Sequence, residues 1–288
     1  MNTAPALTAV ILGAQGTLGR SLLEHLPRLG IEVIAAHARA TCDIVNHSMI
    51  EGALLSSRPS IVFNAAAYTN VDKAEDDEDA CYLANAVGPE NVALACSRVG
   101  AKLVHFSTDF VFDGEQERPY DEFDPVSPLG AYGRSKVAGE RLVSACWAQS
   151  FVVRVGCLYG HGGKNFPSTI LDRLKRGESI KADAERKGSP TWVVPVVEAC
   201  AALARSEWFG LYHATANGET TWADYAHFLA DKIGVSANNV SALPYGALSL
   251  KAARPRRSIL DNRMLRLRGL DTLGTWQDQA LRYIEAQA

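Results

Sequence analysis

The strongest constraint on the fold of this 288-residue chain is an alternation of short apolar runs with longer amphipathic runs through its first half. The apolar runs have the character of buried strands and cover residues 8–14, 32–36, 60–66, 102–108 and 150–156. Helical periodicity fills the gaps at residues 17–29, 48–57, 79–99 and 132–148. Because continuous apolar strands separated by helices are buried on both faces, the pattern predicts an α/β fold with a doubly wound parallel sheet of the Rossmann type.

The second half of the chain is less regular. Helical patterns recur at residues 166–176, 193–206 and 220–233, and "GLYHAT" is typical of a short strand. We therefore expect a dinucleotide-binding domain built from residues 1–156 and 191–213. A smaller, irregular substrate-binding portion would comprise residues 157–190 and 214–288.

Composition narrows the class of ligand. The net charge of -3 and the pI near 6.2 provide no basic surface, so we expect neither a nucleic-acid nor a membrane partner. No apolar run approaches the roughly 20 residues that span a bilayer. The six cysteines form no C-x-x-C pair and the histidines lack ligand spacing. These features predict reduced thiols in a cytoplasmic protein, no metal site and a small-molecule ligand.

A glycine motif, "GAQGTLG", follows the first predicted strand and opens the first predicted helix. Glycine permits a tight turn there and lets backbone N–H groups approach a pyrophosphate at the helix N-terminus. The alternative is a tight turn with a purely structural role. We predict that the motif binds a dinucleotide through Gly13, Gln15, Gly16, Thr17, Leu18 and Gly19.

The end of the second predicted strand should contact the cofactor ribose. The sequence there, "AAHARATCD", has no carboxylate directly after the strand. Arg39 could instead meet a 2′-phosphate. This favours NADPH, with NADH still open, whereas the alternative is a solvated arginine. Asp43, with Ile44 beside it, could contact the adenine, and Asp43 could equally cap the helix that begins near Ser48.

The string "NAAAYTNVDKAE" follows the third predicted strand. Small side chains at Ala65, Ala66 and Ala67, after Asn64, would let the backbone lie against the cofactor. Close packing of strand on helix is the alternative explanation.

Tyr132 and Lys136 lie four residues apart in "AYGRSK", and therefore on one face of the predicted helix. We expect the Lys136 ammonium to lower the pKa of the Tyr132 phenol and to contact a cofactor ribose. Thr108 ends a predicted strand, where its hydroxyl can orient a substrate carbonyl. These three residues predict carbonyl reduction, with Tyr132 as the proton donor. A bare Y-x-x-x-K pair on the protein surface is the alternative.

Taken together, the motifs resemble the dTDP-4-dehydrorhamnose reductase family of extended short-chain dehydrogenases. The strings that carry the resemblance are "GAQGTLG", "NAAAYTNVDKAE", "STDFVFDG", "PYDE", "YGRSKVAGE", "NF", "GSPT", "GLYHATANGETTW" and "RPRRSIL". The resemblance implies NAD(P)H-dependent reduction of the 4-keto group of dTDP-6-deoxy-L-lyxo-4-hexulose to dTDP-L-rhamnose. It also implies a catalytic role for Thr108, Tyr132 and Lys136, and substrate contacts from Asp109, Asn165 and Arg254.

One departure from the family pattern concerns the sugar. The best-known members carry a tryptophan where this chain has Cys157, which we expect at the substrate pocket. A thiol cannot present an aromatic face, so the identity of the sugar stays open. Family members can also dimerise through Mg²⁺, but no site for this ion can be located in the sequence. A homodimer remains one option.

Three other functions share the architecture. Another nucleotide-sugar 4-ketoreductase would keep all the motifs. A 4,6-dehydratase is expected to carry Thr-Asp-Glu, whereas Asp109 is followed here by Phe110. A non-catalytic regulatory subunit of the same family would bind nucleotide without turnover.

Overall fold

The computed structural model describes residues 6–162, 165–247 and 250–287. The strands are β1 (Leu7–Leu12), β2 (Ile31–His37), β3 (Ile61–Asn64), β4 (Lys102–Thr108), β5 (Ser150–Val155), β6 (Leu158–Tyr159), β7 (Ile180–Asp183), β8 (Lys187–Gly188), β9 (Thr191–Trp192), β10 (Gly210–His213), β11 (Thr220–Thr221) and β12 (Val240–Leu243). The helices are α1 (Thr17–His25), α2 (His47–Ser57), α3 (Val71–Ala74), α4 (Glu78–Tyr82), α5 (Gly88–Val99), α6 (Ala131–Cys146), α7 (Phe166–Lys175), α8 (Val193–Ala204), α9 (Trp222–Lys232), α10 (Arg263–Leu267) and α11 (Trp276–Glu285).

Six strands form one sheet in the order β10-β5-β4-β3-β1-β2, and every neighbouring pair is parallel. The predicted doubly wound α/β fold is therefore confirmed. The chain passes from β1 to β2 on one side and returns to β3 on the other side of β1. Ligands of such sheets bind where the strand order reverses, so the crevice between the ends of β1 and β3 is the expected position.

Apolar side chains fill both faces of the sheet. On one face, α1 and α8 pack over β1, β3, β4 and β5 in a core that continues into α7, α9 and α11. On the other face, α2 and α5 bury a second cluster that includes Val10, Leu54 and Val92. This double burial explains why the strand sequences are apolar throughout rather than alternating.

The prediction of one regular helix over residues 79–99 is wrong. It is divided into α4, a π-helical turn at Leu83–Val87, and α5. Pro89 has no N–H, so it cannot donate to the Asn85 carbonyl four residues earlier, which is the bond that a regular helix would require. The widened turn accommodates this loss.

Two helices in the C-terminal tail, α10 and α11, were not predicted. Helix α11 does carry a usable signal, because Trp276, Ala280 and Tyr283 are buried on one face.

The cysteines agree with the prediction of reduced thiols. All six are free, and four are buried: Cys42, Cys81, Cys96 and Cys200. Within the described ranges, no helix is both long and apolar enough to cross a membrane.

Candidate active site

The glycine motif forms the turn between β1 and α1. Gly13 has a φ of +79°, and a Cβ at this position would lie 2.5 Å from the Ala66 nitrogen. A Cβ on Gly19 would collide with the Gly13 carbonyl. A structural role in the tight turn therefore explains why positions 13 and 19 are glycine. Gly16 is different, because a Cβ there would meet only the Gly13 oxygen at 3.5 Å, and Gly16 is the N-cap of α1 without a side-chain cap.

A cavity of about 250 Å³ opens beside this turn, at the predicted crevice between β1 and β3. Most of the residues predicted to bind the cofactor line it: Gly13, Gln15, Gly16, Arg39, Asp43, Ile44, Ala65, Ala66 and Ala67. Six predicted residues do not line it, namely Thr17, Leu18, Gly19, Asn64, Tyr132 and Lys136. Leu18 is buried in the core, and Asn64 accepts from the Ala66 N–H at 3.2 Å, so Asn64 shapes the loop rather than the cavity wall.

At the far end of this cavity, Arg39 and Asp43 form an ion pair of 3.1 Å. The Arg39 side chain is 85% exposed, so the arginine is solvated as well as facing the cavity. Asp43 also accepts from the Val45 N–H at 3.1 Å. The proposed capping role of Asp43 is wrong, because the cap of α2 is Asn46, which accepts from Met49.

The three predicted catalytic residues converge where β4 ends. Thr108 is the last residue of β4, and Tyr132 lies in the first turn of α6, which packs against that strand. Lys136 follows one turn later, is buried, and donates from Nζ to the Phe106 carbonyl at 2.7 Å. The edge of the Phe110 ring contacts the Tyr132 ring, with 5.9 Å between centroids. The surface-pair alternative is excluded by this burial.

The expected effect of Lys136 on Tyr132 is wrong. Burial raises the pKa of the Tyr132 phenol to about 12, the neighbouring Thr108 hydroxyl lowers it only in part, and Asp109 adds to the rise. Burial also lowers the pKa of Lys136 to about 8, against the opposing pull of Glu140. The phenol is therefore protonated near neutral pH, as a proton donor must be, and burial makes it a weaker acid than a free tyrosine.

A second cavity of about 250 Å³ adjoins Tyr132. Its wall includes Thr108, Asp109, Phe110, Tyr132, Cys157, Leu158, Arg186, Trp222, Arg254 and Ser258. Asp109 is buried, and the Thr108 hydroxyl donates to its Oδ1 atom at 3.1 Å. Burial raises the pKa of the Asp109 carboxyl to about 6.

The predicted substrate residues are not all equivalent. Cys157 lines the second cavity and has an unusual φ of +49°, and burial raises the pKa of its thiol. Arg254 also lines it, and holds Asp72 through two bonds of 2.9 and 3.0 Å that lower the pKa of Asp72 to about 2. Asn165 instead caps α7 by accepting from the Ser168 N–H at 3.0 Å, and it does not line this cavity.

Among the lining residues of the second cavity that the sequence did not predict are Arg186, Trp222 and Ser258. Arg186 stands in the segment "ADAERKG", for which the sequence predicts no regular element, and the sequence alone favours packing as the role of Trp222. Trp222 is indeed buried, and its ring edge and the Cys157 sulfur both lie beside Gly188. The available signal was proximity in sequence to "GSPT", "TTW" and "RPRRSIL".

Asn85, in the π-helical turn, forms hydrogen bonds that connect the wall of the first cavity with the start of α6. Its side chain exchanges hydrogen bonds with the Tyr68 backbone, accepting from N–H at 2.8 Å and donating to the carbonyl at 3.0 Å. It also donates to the Ser135 hydroxyl at 3.0 Å, and Ser135 donates to the Tyr132 carbonyl at 2.7 Å. Tyr68 lines the first cavity, so Asn85 links its wall to α6.

The family model for the RmlD substrate binding domain matches residues 7–288. A dTDP-4-dehydrorhamnose reductase from Streptomyces griseus is 36% identical over 283 residues, covering 96% of this chain and 93% of the relative. A probable dTDP-4,6-dihydroxy-2-methyloxan-3-one 4-ketoreductase from Streptomyces antibioticus is 38% identical over 272 residues, covering 93% and 91%.

Among solved structures, a dTDP-4-dehydrorhamnose reductase from Bacillus anthracis in complex with NADP matches with a TM-score of 0.94. It is 35% identical, and the match covers 98% of this chain and 100% of that one. The resemblance drawn from the motifs is thereby confirmed. The chain belongs to the family of the RmlD substrate binding domain, the family of the dTDP-4-dehydrorhamnose reductases.

Proposed function

We propose that the protein is an NADPH-dependent reductase of a nucleotide-linked 4-keto-6-deoxysugar, with dTDP-6-deoxy-L-lyxo-4-hexulose as substrate and dTDP-L-rhamnose as product. The observation that carries the proposal is the convergence of Thr108, Tyr132 and buried Lys136 at the end of β4, between two cavities. One cavity has a glycine-lined wall, and the other has polar groups. Relatives over nearly the full length of the chain are named as reductases of this kind.

The first cavity fits a dinucleotide. Gly16 leaves the backbone at the start of α1 open, and the N–H groups of a helix N-terminus attract phosphate. Ala65, Ala66 and Ala67 form a low wall along which a flat ligand can lie. Arg39 is placed to meet a 2′-phosphate, which supports NADPH over NADH, and the Bacillus anthracis relative holds NADP.

When bound, NADPH supplies a hydride to the carbon of the ketone. Tyr132 donates its phenolic proton to the ketone oxygen, so the C=O bond becomes CH–OH and tyrosinate is left to regain a proton from water. With a pKa of about 12, Tyr132 carries this proton at neutral pH. Thr108 directs the ketone oxygen towards the phenol, and Lys136 fixes the helix that bears Tyr132 through Phe106.

The second cavity suits the sugar and its diphosphate. Arg186 and Arg254 line this cavity and also a neighbouring cavity of about 320 Å³ that contains Tyr245 and Lys251. Guanidinium groups bind phosphate oxygens through paired hydrogen bonds, so the diphosphate is proposed to cross between these two cavities. The sugar would then extend towards Tyr132.

The test is a spectrophotometric assay of NADPH oxidation, with the 4-keto substrate generated in situ from dTDP-glucose. Turnover that requires both the sugar nucleotide and NADPH is expected. A protein that binds NADPH but consumes none of it with this substrate, or with other 4-keto sugar nucleotides, would be a nucleotide-binding subunit instead, and the proposed function would be wrong.

A second candidate is a 4-ketoreductase for a different 4-keto sugar. Cys157 favours it, because its small thiol lines the sugar cavity at the position of the family's tryptophan. A relative that is 38% identical is named for such a substrate. Comparing kcat/KM for several 4-keto epimers would separate the two candidates.

A further inference from the structure

Glu140 is a buried carboxylate that the proposed mechanism does not use. It follows Tyr132 and Lys136 at the same four-residue spacing, so all three lie along one face of α6. Both of its oxygens accept from Arg154, at 2.8 and 2.7 Å, in an ion pair that is itself buried. The Ser107 hydroxyl donates to the same carboxylate.

Three consecutive residues at the end of β4 contact α6. The Phe106 carbonyl accepts from Lys136, and the next residue, Ser107, donates to Glu140. The residue after that is Thr108, whose hydroxyl lies beside the Tyr132 phenol. Three consecutive residues of the strand thus meet three residues on one face of the helix. A shift of the helix along the strand would break all these contacts together.

We propose that Glu140 is a positioning residue for the reduction. Its carboxylate, held by Arg154 and Ser107, keeps α6 in register with β4 and supplies the negative charge that retains the buried Lys136 ammonium. This inference rests on the proposed function for its catalytic meaning, but its electrostatic part concerns the protein alone.

The charge balance around Lys136 supports this role. Burial lowers the pKa of Lys136, and Glu140 is the largest influence that opposes the fall. Cys81 on α4 adds a smaller opposing effect. His105 on β4 is buried, and burial together with Lys136 lowers its own pKa, so it is neutral. Arg154 on β5 faces Glu140 from the other side.

The first experiment follows Lys136 without any turnover. Lysine labelled with ¹³C at Cε would be titrated by NMR, with the Lys136 signal assigned by its loss in Lys136→Met. The wild-type midpoint is expected near pH 8. In Glu140→Gln we expect the midpoint to fall by about one pH unit, because the opposing charge is gone.

Two matched variants separate the charge from other effects. Ser107→Ala removes a hydrogen bond to the carboxylate but no charge, so its midpoint should stay at the wild-type value. Glu140→Gln with Arg154→Gln removes the unpaired guanidinium that the single variant leaves buried, and should restore folding if the single variant is unstable. Its midpoint should remain below that of the wild type.

The second experiment is the pH profile of kcat. Because a neutral amine donates a weaker hydrogen bond to the Phe106 carbonyl than an ammonium does, the rate should fall as Lys136 loses its proton. This alkaline limb should move to lower pH in Glu140→Gln in step with the NMR midpoint. An unchanged Lys136 midpoint in the folded single variant, or a wild-type midpoint in the double variant, would overturn the proposal. Absence of turnover in the wild type would instead contradict the proposed function and leave the titration result standing.

Discussion

The two cavities on either side of Tyr132 are built in different ways. One wall of the cofactor cavity consists of backbone and small side chains from two loops, Gly13–Gly16 and Ala65–Ala67, and residues 38–45 form another. The sugar cavity is walled by large side chains from distant segments, such as Asp109, Arg186 and Arg254. Both have a volume of about 250 Å³.

This difference determines what each cavity tolerates. A wall of backbone cannot accept a larger side chain without moving the main chain, so its residues are restricted by packing. A wall of side chains can be altered one residue at a time, but it contains buried charges that need partners. Substitutions in the cofactor cavity should therefore mainly change the folding stability of the protein. Substitutions in the sugar cavity should mainly change turnover and its dependence on pH.

The largest effect is expected from Tyr132→Phe. Loss of the proton donor should reduce kcat by about 10³-fold, within the usual contribution of general acid catalysis. The affinity for NADPH and the unfolding temperature should change little, because the ring and its contact with Phe110 remain. Steady-state kinetics and fluorescence titration with NADPH would measure both quantities. Retained turnover would refute the assignment of Tyr132 as the acid.

Next in size is Gly13→Ala in the cofactor cavity. The positive φ and the contact with the Ala66 nitrogen should together cost about 4 kcal/mol of folding free energy. The matched control is Gly100→Ala, which has a similar φ of +73° but no atom within 4 Å of the added Cβ. It should cost only about 1 kcal/mol. If urea denaturation showed the same loss of folding free energy for both variants, the close contact between residue 13 and the Ala66 nitrogen would not be what excludes a side chain at this position.

Asp109→Asn tests the buried charge of the sugar cavity. The pKa of this carboxyl is about 6 in the folded protein, above its ordinary value of 3.8, so folding weakens as the pH rises between these values. The ionised form therefore costs about 3 kcal/mol at pH 8, and the variant should recover this stability there but not at low pH.

The control for this prediction is Asp124→Asn. Arg118 lowers the pKa of Asp124 to about 2, so the sign is reversed, and this variant should lose stability at pH 8. Urea denaturation at pH 5 and pH 8 would compare the two variants. A loss of stability at pH 8 in both would contradict the assigned cost of the Asp109 charge.

The smallest effect is expected from Arg39→Ala. Because its side chain is 85% exposed, the loss of NADPH affinity should be about tenfold or less, and NADH affinity should change less. Arg28→Ala removes a similar exposed ion pair, with Glu24, away from the cavity, and should leave both affinities unchanged. Equal weakening of NADPH and NADH would remove the case for recognition of a 2′-phosphate by Arg39.

The same comparison explains how much could be predicted from sequence. The sheet, the glycine turn and the pairing of Tyr132 with Lys136 follow from local patterns, in which spacing alone determines the face or the turn. Arg186, Trp222 and Ser258 could not be predicted in this way, because they reach the sugar cavity only through tertiary packing. The predicted direction of the Tyr132 pKa shift was wrong for a related reason. Burial depends on the whole fold, and its effect on the pKa outweighs that of a neighbour on the same helix.

The π-helical turn at Leu83–Val87 also changes the orientation of α4 about the helix axis relative to α5. It holds one residue more per turn than an α-helix, which rotates α4 by about 100° relative to α5. With that offset the Cys81 sulfur lies 3.2 Å from the Ser135 hydroxyl, and Asn85 reaches both of these residues. A homologue shorter by one residue in this turn would aim α4 at a different neighbour and would need another means of anchoring the start of α6.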